Sequence, residues 1–381
     1  MRPVHACLAL FGWLAASLTA CAPASTSVST HLESDPQLLS EWGLFDVSGG
    51  TLELSEGVIP YDLSSPLFTD YAHKLRTLWV PEGASAVDLN AGSAPDLPVG
   101  TVISKTFYYP KAGDTSGRVS KAPDPLGQLN PVLADLSQVQ IMETRLLVRR
   151  EQGWAPVSYV WNDAQTDAVL TRIGDAQALT LVDGQGEETD FAYIVPDINQ
   201  CSGCHAPNNT TREIEPLGVR ARHLNKSYTH DGTATNQLEY LRDKGILTVP
   251  GSVTAMPANV NWEDPGQSLE ARARSYLDIN CSHCHNPVGP ADTSGLDLTM
   301  DADFGPALGV CKLPIAAGSG TGGRAFSIVP GEPDASILLY RLETTKPGAM
   351  MPELGRALSH AEGAALIRAW IAEIDGTCAP A

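Results

Sequence analysis

The chain carries the pattern Cys-x-x-Cys-His twice, at Cys201–His205 and at Cys281–His285. A chain of 381 residues with eight cysteines and nine histidines would contain about 0.004 such matches by chance. The spacing puts two thiols about one helical turn apart and an imidazole directly after them. These two segments therefore constrain the fold and the chemistry more than any other part of the sequence.

The pattern is typical of a covalent attachment site for c-type haem. Two thiols add to the two vinyl groups of the porphyrin, and the adjacent histidine places an imidazole nitrogen on the iron. We therefore expect two covalently bound haem c groups. The attachment and axial residues are Cys201, Cys204 and His205 for the first haem, and Cys281, Cys284 and His285 for the second.

The sixth iron ligand of a c-type haem usually comes from a distant loop. A methionine directly before proline suits this role, because the extended loop aims its thioether sulfur. Met351 is the expected ligand of the second iron, and Met256 that of the first. Met350 competes with Met351, and His223 and His230 compete with Met256. A core side chain is the alternative interpretation of Met256.

Groups around each haem can also be predicted. Each ligating imidazole should donate its other N–H to a backbone carbonyl, and for the second haem the turn 286–290 is the expected place. Propionates need cationic partners, for which Arg324 suits the second haem and Arg220 and Arg222 suit the first; ordinary surface arginines are the alternative. His73 is expected to be a hydrogen-bonded structural histidine, with an approach to the first haem or a substrate as the alternative.

Residues 1–21 predict an export signal. Arg2 precedes an apolar run at 6–20, and the run ends in a sequence that resembles a bacterial lipobox, in which Cys21 takes the lipid. An ordinary signal peptide cut within one residue of this position is the alternative. No other stretch is long and apolar enough to span a bilayer. We expect an exported, membrane-anchored lipoprotein that faces the periplasm or the cell exterior.

Two cysteines, Cys311 and Cys378, have no role in haem attachment, lipidation or the signal peptide. In an oxidising compartment a remaining pair is most simply a disulfide. Two buried free thiols are the alternative.

The sequence predicts an α+β multidomain chain, with a β-rich, sandwich-like or barrel-like N-terminal domain followed by mostly α-helical haem-binding regions. Short aromatic and β-branched runs between turns, such as 102–109 and 157–161, predict strands, and 235–244 predicts a helix. The expected divisions are a signal peptide and lipobox at 1–21, a flexible tether at 22–40, a β-rich domain at 41–196, a first haem-binding region at 197–262 and a cytochrome c-like domain at 263–381.

The last domain has a helical pattern of its own. Ser268 should cap a helix that runs into Cys281, and a capping box at 359–362 should open the final helix. A helix that leads into the haem motif and a closing helix with a large aromatic resemble the class I cytochrome c fold. That fold crosses its first and last helices, here with Tyr276 near Trp370.

Several segments together resemble a family of bacterial exported diheme c-type cytochromes of unassigned role. The likeness covers nearly everything from about residue 40 onward. It implies two covalent haems and an exported protein, and it supplies no substrate. The segments that carry it are 66–76, 143–147, 199–205, 273–285 and 350–356.

The charge balance narrows the class of partner. With 25 basic and 44 acidic residues the formal net charge is −19, which argues against a nucleic-acid partner and fits a basic or neutral redox partner protein. The leading hypothesis is a lipid-anchored diheme electron carrier. The alternative is an enzyme, either a diheme peroxidase with one open iron or the electron-accepting subunit of a periplasmic dehydrogenase. A zinc-binding module is disfavoured by the histidine after each cysteine pair.

Overall fold

The computed structural model describes residues 27–126, 134–230 and 232–379. Within these ranges the protein is β-rich, with several sheets and six α-helices, so the predicted β-rich character is confirmed. The strands are β1 (Phe45–Ser48), β2 (Thr51–Leu54), β3 (Ile59–Tyr61), β4 (His73–Trp79), β5 (Val87–Asp88), β6 (Val102–Pro110), β7 (Arg118–Ser120), β8 (Ala134–Asp135), β9 (Val139–Arg150), β10 (Gly153–Trp161), β11 (Ala168–Leu170), β12 (Asp175–Val182), β13 (Glu188–Val195), β14 (Ser227–His230), β15 (Thr233–Asn236) and β16 (Leu247–Thr248). The helices are α1 (Cys201–His205), α2 (Ala221–Leu224), α3 (Gln237–Asp243), α4 (Leu269–Cys281), α5 (Ile337–Glu343) and α6 (Ala361–Glu373).

A six-stranded antiparallel sheet in the order β11–β10–β9–β6–β4–β3 is the scaffold of the N-terminal part. Side chains alternate between its two faces along the central strand β6. Val102 and Tyr108 belong to the apolar cluster on one face, whereas Ile103 belongs to the cluster on the other. Both faces are therefore covered, and the second face looks toward the C-terminal half of the chain.

The first face packs on the small sheet β1–β2–β8 and on the N-terminal segment. Leu39 is buried in this cluster, and the carboxylate of Asp35 pairs with both Arg150 and Arg172, at 2.7 Å from the latter. The sequence assigned 22–40 to a flexible tether, but the structure fixes residues 27–40 to the sheet. Apolar and acidic side chains in this segment find partners that composition alone does not reveal.

The segment 197–262 mixes helix and strand, whereas the sequence predicted a mostly helical region. β14 and β15 form an antiparallel hairpin, in which the β-branched threonines favour extended backbone. The helix predicted at 235–244 begins only at Gln237. The side chain of Asn236 caps it by accepting the N–H of Leu238 at 2.9 Å.

The two long helices of the C-terminal part differ in how they begin. Ser268 caps α4 as predicted, since its hydroxyl accepts a backbone N–H of the first turn at 3.2 Å. The predicted capping box at 359–362 is wrong, because α6 has His360 at its N-cap with no side-chain cap. The carboxylate of Glu362 instead accepts a hydrogen bond from the Tyr71 hydroxyl at 3.0 Å. A contact across the chain therefore outcompetes the local cap.

α4 and α6 pack closely at Gly363. A Cβ at this position would overlap the phenol ring of Tyr276, so only glycine lets the helices come this near. At the other end of the contact the indole N–H of Trp370 donates to the carboxylate of Glu270. Tyr276 and Trp370 lie in one apolar cluster, but they are not a direct pair. Tyr276 contacts α6 near its beginning, and Trp370 contacts α4 near its beginning.

We expect Gly363→Ala to lower the free energy of unfolding by about 1–2 kcal/mol. Alanine is worth about 0.5–1 kcal/mol over glycine within a helix. Overpacking against a fully buried ring costs about 1–3 kcal/mol and therefore decides the sign. Denaturant unfolding measures the change, with Ala365→Leu on the exposed side of the same helix as the control. A Gly363→Ala variant more stable than the parent would contradict the close contact.

Several features concern the ends of the chain. The predicted signal peptide, the lipidation site Cys21 and residues 22–26 of the tether lie outside the described residues. In the part that the structure describes, no helix has both the length and the apolar character needed to cross a membrane. The sulfur atoms of Cys311 and Cys378 are bonded to each other at 2.14 Å, which joins the last residues to the middle of the C-terminal part.

Candidate functional site

Each cysteine motif occupies a single helical turn. α1 consists of the first motif, and the second motif begins at the last residue of α4. The backbone N–H groups of Cys284 and His285 both donate to the carbonyl of Cys281, at 3.1 and 2.9 Å. The two thiols of a motif and its imidazole are thereby held at neighbouring positions, as attachment of a porphyrin requires.

The imidazole of His205 has a defined tautomer. Its Nδ1 lies 2.9 Å from the backbone carbonyl of Glu215. A carbonyl only accepts, so Nδ1 carries the proton and Nε2 keeps a free lone pair. This is the backbone-carbonyl partner that the sequence analysis expected, and it leaves Nε2 in the form that binds iron.

His285 reaches the same state through a different partner. Its Nδ1 lies 3.1 Å from the hydroxyl of Ser294, and that hydroxyl donates to the carbonyl of Ala291 at 2.7 Å. The hydroxyl hydrogen is thus engaged, so His285 Nδ1 is the donor and Nε2 is again free. The turn 286–290, predicted to supply a carbonyl, does not, because the Ser294 hydroxyl occupies this position.

Both imidazoles are neutral near pH 7. Burial lowers the pKa of His205 to about 4, helped by the nearby Lys105 cation. Burial likewise lowers the pKa of His285 to about 4, helped by Arg341. A neutral imidazole is the form that ligates a metal. The residues of both motifs therefore fit a covalently attached haem.

The two motifs contact each other. The thiol of Cys284 donates to the carbonyl of Gly203 at 3.3 Å. Two neighbouring hydrogen bonds reinforce this contact. The N–H of Asn209 donates to the carbonyl of Val288 at 2.6 Å, and the side-chain amide of Asn286 donates to the carbonyl of Pro207 at 3.2 Å. The two Cys-x-x-Cys-His motifs are therefore adjacent in space, although they are far apart along the chain.

A large cavity lies between the second face of the six-stranded sheet, α1, α4 and the loop 350–356. The space in it that the centre of a water molecule can occupy is about 200 Å³, it opens partly to solvent, and its walls are mostly apolar. The first motif opens directly onto it, whereas the second contributes only His283. The chemically distinctive side chains on its walls include Cys201, Cys204, His205, Arg76, Lys105, Arg145, Arg356, His360 and Met351.

The loop that carries Met351 is tied to the sheet domain. The carboxylate of Asp70 accepts the backbone N–H groups of Ala357 and Leu358, each at 2.8 Å. Nearer the methionine, Leu354 lies against Gly203 of the first motif, 3.2 Å from the position that a Cβ would occupy there. The loop therefore covers the cavity and lies against the first motif.

The predicted methionine ligands have different surroundings. Met351 lines the cavity together with His205 of the first motif, whereas neither its rival Met350 nor its predicted partner His285 does. Met256 is 9% exposed and lies in an apolar cluster with Ile279 rather than on the cavity wall. This placement favours the core role for Met256 that the sequence analysis held as the alternative.

The three histidines weighed as rivals or as substrate-binding residues also lie away from the cavity wall. His223 is buried with its Nε2 3.8 Å from the carboxylate of Asp278, and His230 stacks on the ring of Tyr240. His73 has its Nε2 3.0 Å from a backbone carbonyl, in keeping with a structural histidine.

The arginines predicted to bind propionates are engaged elsewhere. Arg220 pairs with Glu215 at 3.0 Å, and Arg222 pairs with Asp301. Arg324 donates to a backbone carbonyl at 2.7 Å and lies over the Tyr340 ring. None of the three lines the cavity. The cations that do are Arg76, Lys105 and Arg145 of the sheet and Arg356 of the loop that follows Met351, none of which the sequence analysis proposed.

The sequence contains one signal for the cations of the sheet. Lys105 lies between Ile103 and Phe107 on the same face of β6. A charged residue among apolar, core-facing residues departs from the pattern of a packed strand. The partners Glu215 and Ser294 gave no comparable signal, because a histidine partner depends on loop conformation.

Comparison with known proteins gave no match, since no family model, no curated protein and no solved structure is similar to the chain. Within the described ranges, no group of three or more His, Cys, Asp or Glu side chains could hold a metal ion. A haem makes no such demand, because the porphyrin supplies the equatorial ligands and the protein adds only axial ones.

We expect Met351→Ala to weaken the red charge-transfer band of the oxidised protein, because that band reports iron–thioether bonding. Met256→Ala should leave the band intact and lower the free energy of unfolding by about 2–5 kcal/mol, as expected for a buried methionine. Optical spectra and denaturant unfolding measure the two effects, and Met350→Ala is the matched control. Loss of band intensity in Met256→Ala would restore that residue as a ligand.

Proposed function

We propose that this protein is an exported, lipid-anchored diheme c-type cytochrome that carries electrons between redox partners. The observation that carries the proposal is the contact between the two motifs, with the Cys284 thiol 3.3 Å from the Gly203 carbonyl. Haems attached at adjacent sites exchange electrons rapidly, because tunnelling falls off steeply with distance. A protein that simply needed two independent cofactors would have no reason to bring the attachment sites together.

The chain's own residues suit electron transfer. The carbonyl of Glu215 and the hydroxyl of Ser294 fix the axial imidazoles, so the iron ligands move little between oxidation states. The thioether of Met351, where it ligates, favours the ferrous state and raises the potential. The largely apolar cavity limits water at the first haem. When bound, the haems supply the redox chemistry, and the protein positions and tunes them.

The C-terminal part supports the finer proposal of a class I cytochrome c-like domain. α4 leads directly into the second motif, and α6 closes against it at Gly363. The loop with Met351 lies between these helices in sequence. These are the parts that the class I arrangement uses, although the loop also reaches the first motif.

The proposed setting follows from the sequence. A signal peptide, lipidation at Cys21 and haem attachment all belong outside the cytoplasm. The net charge of −19 suits a basic or neutral redox partner protein and disfavours nucleic acid. The membrane is contacted through the lipid anchor.

A second candidate is a diheme peroxidase-like enzyme or the electron-accepting subunit of a periplasmic dehydrogenase. One observation favours it: Met256 lies away from the cavity wall, which leaves the sixth position of the first iron without its predicted ligand. Carbon monoxide binding to the reduced protein separates the two functions. Binding at one haem, with turnover of peroxide, supports the enzyme; two unreactive low-spin haems support the carrier.

We expect the double variant Cys201→Ser with Cys204→Ser to carry one haem where the parent carries two. Serine cannot add to a vinyl group to form a thioether, so the first haem is lost. Intact mass of the denatured protein and haem quantitation measure the count. His283→Ala, which changes the middle of the second motif without touching its thiols or ligand, should keep both haems. A parent polypeptide with no added porphyrin mass would exclude the proposed function.

A further inference from the structure

Three cationic side chains form a row across adjacent strands on the face of the sheet that lines the cavity. The register pairs Arg76 of β4 with Lys105 of β6, and Lys105 with Arg145 of β9. All three line the cavity onto which His205 opens. Residues directly opposite in neighbouring strands lie about 5 Å apart, and like charges in this position repel each other.

The two arginines of this row have carboxylate partners within the protein. Arg145 donates to Glu143 at 2.8 Å, and Glu143 is fully buried. Arg76 pairs with Asp62 at 3.3 Å. These contacts account for both arginines, and Asp62 is shared with Lys226 at 2.8 Å.

Lys105 is different. In the part of the chain that the structure describes, no carboxylate or carbonyl lies within hydrogen-bond distance of its ammonium group. The ammonium group lies over the ring of Phe107, 5.2 Å from the ring centre. Burial, together with the adjacent Arg145 and Arg76, lowers the pKa of Lys105 to about 7. Of the three cations in the row, Lys105 is thus the one that lacks a carboxylate partner in the described part of the chain.

We propose that Lys105, flanked by Arg76 and Arg145, binds a propionate carboxylate of the first haem. The inference rests on the proposed function, since it requires a haem at the first motif. A carboxylate at this place removes the repulsion within the row and gives the ammonium group a charge-assisted hydrogen bond. It also assigns a role to the sheet domain, which holds the polar edge of a haem whose thiols and axial ligand come from α1.

The test compares Lys105→Met with Lys111→Met. Lys111 directly follows the same strand but does not line the cavity. Removal of a cation beside a propionate favours the ferric state, so Lys105→Met should shift the redox equilibrium of one haem about tenfold, or about 59 mV downward. The propionate bending modes in the resonance Raman spectrum should also change. Lys111→Met should do neither.

Each outcome decides the matter. Lys105→Arg, which keeps the charge, should retain the parental potential. If Lys105→Met does not fold, Lys105→Gln gives the same readouts with a side chain of similar length. Unchanged potential and unchanged propionate modes in a variant with two haems overturn the inference and leave the cytochrome intact. A parental potential that responds to added acetate, with no response in Lys105→Met, assigns the site to a free carboxylate and also overturns it.

Discussion

The carboxylate of Asp70 holds the two halves of the protein together. It accepts the N–H groups of Ala357 and Leu358, and thereby fixes the loop that covers the cavity to the end of the sheet. Asp70 and Tyr71 both have positive φ, at 44° and 65°, a conformation that is uncommon for aspartate and more so for tyrosine. The hydroxyl of Tyr109 donates to the Asp70 carbonyl at 2.8 Å and supports this turn. This turn thereby fixes the segment that follows the loop of Met351.

Local features of the fold could be predicted where short-range physics decides them. The strand at 102–109 agrees with β6, and the cap at Ser268 begins α4 as expected, because alternation and capping are written in a few neighbouring residues. The cap at Ser359 fails because Glu362 finds Tyr71, a residue far away in sequence. The N-terminal segment was misjudged for the same reason, since the arginine partners of Asp35 lie on distant strands.

The candidate site divides in the same way. The thiols and imidazoles were evident from spacing alone, because attachment of a porphyrin requires those residue types in that order. The row that contains Lys105 could not be read from the sequence, because strand register brings its members together from three separate segments. Ser294, the hydrogen-bond partner of His285, could not be predicted either, because its position depends on the conformation of a loop. Contacts across the chain thus decide what surrounds each motif, whereas local spacing decides where each motif lies.

The closeness of the two motifs has a consequence for biogenesis. Under the proposed function, Cys204 and Cys284 would lie in contact as reduced thiols before porphyrin is attached, in a compartment that oxidises such pairs. A cross-link between them would block both motifs at once. The proposed function therefore requires each motif to receive its porphyrin while the two motifs are still apart.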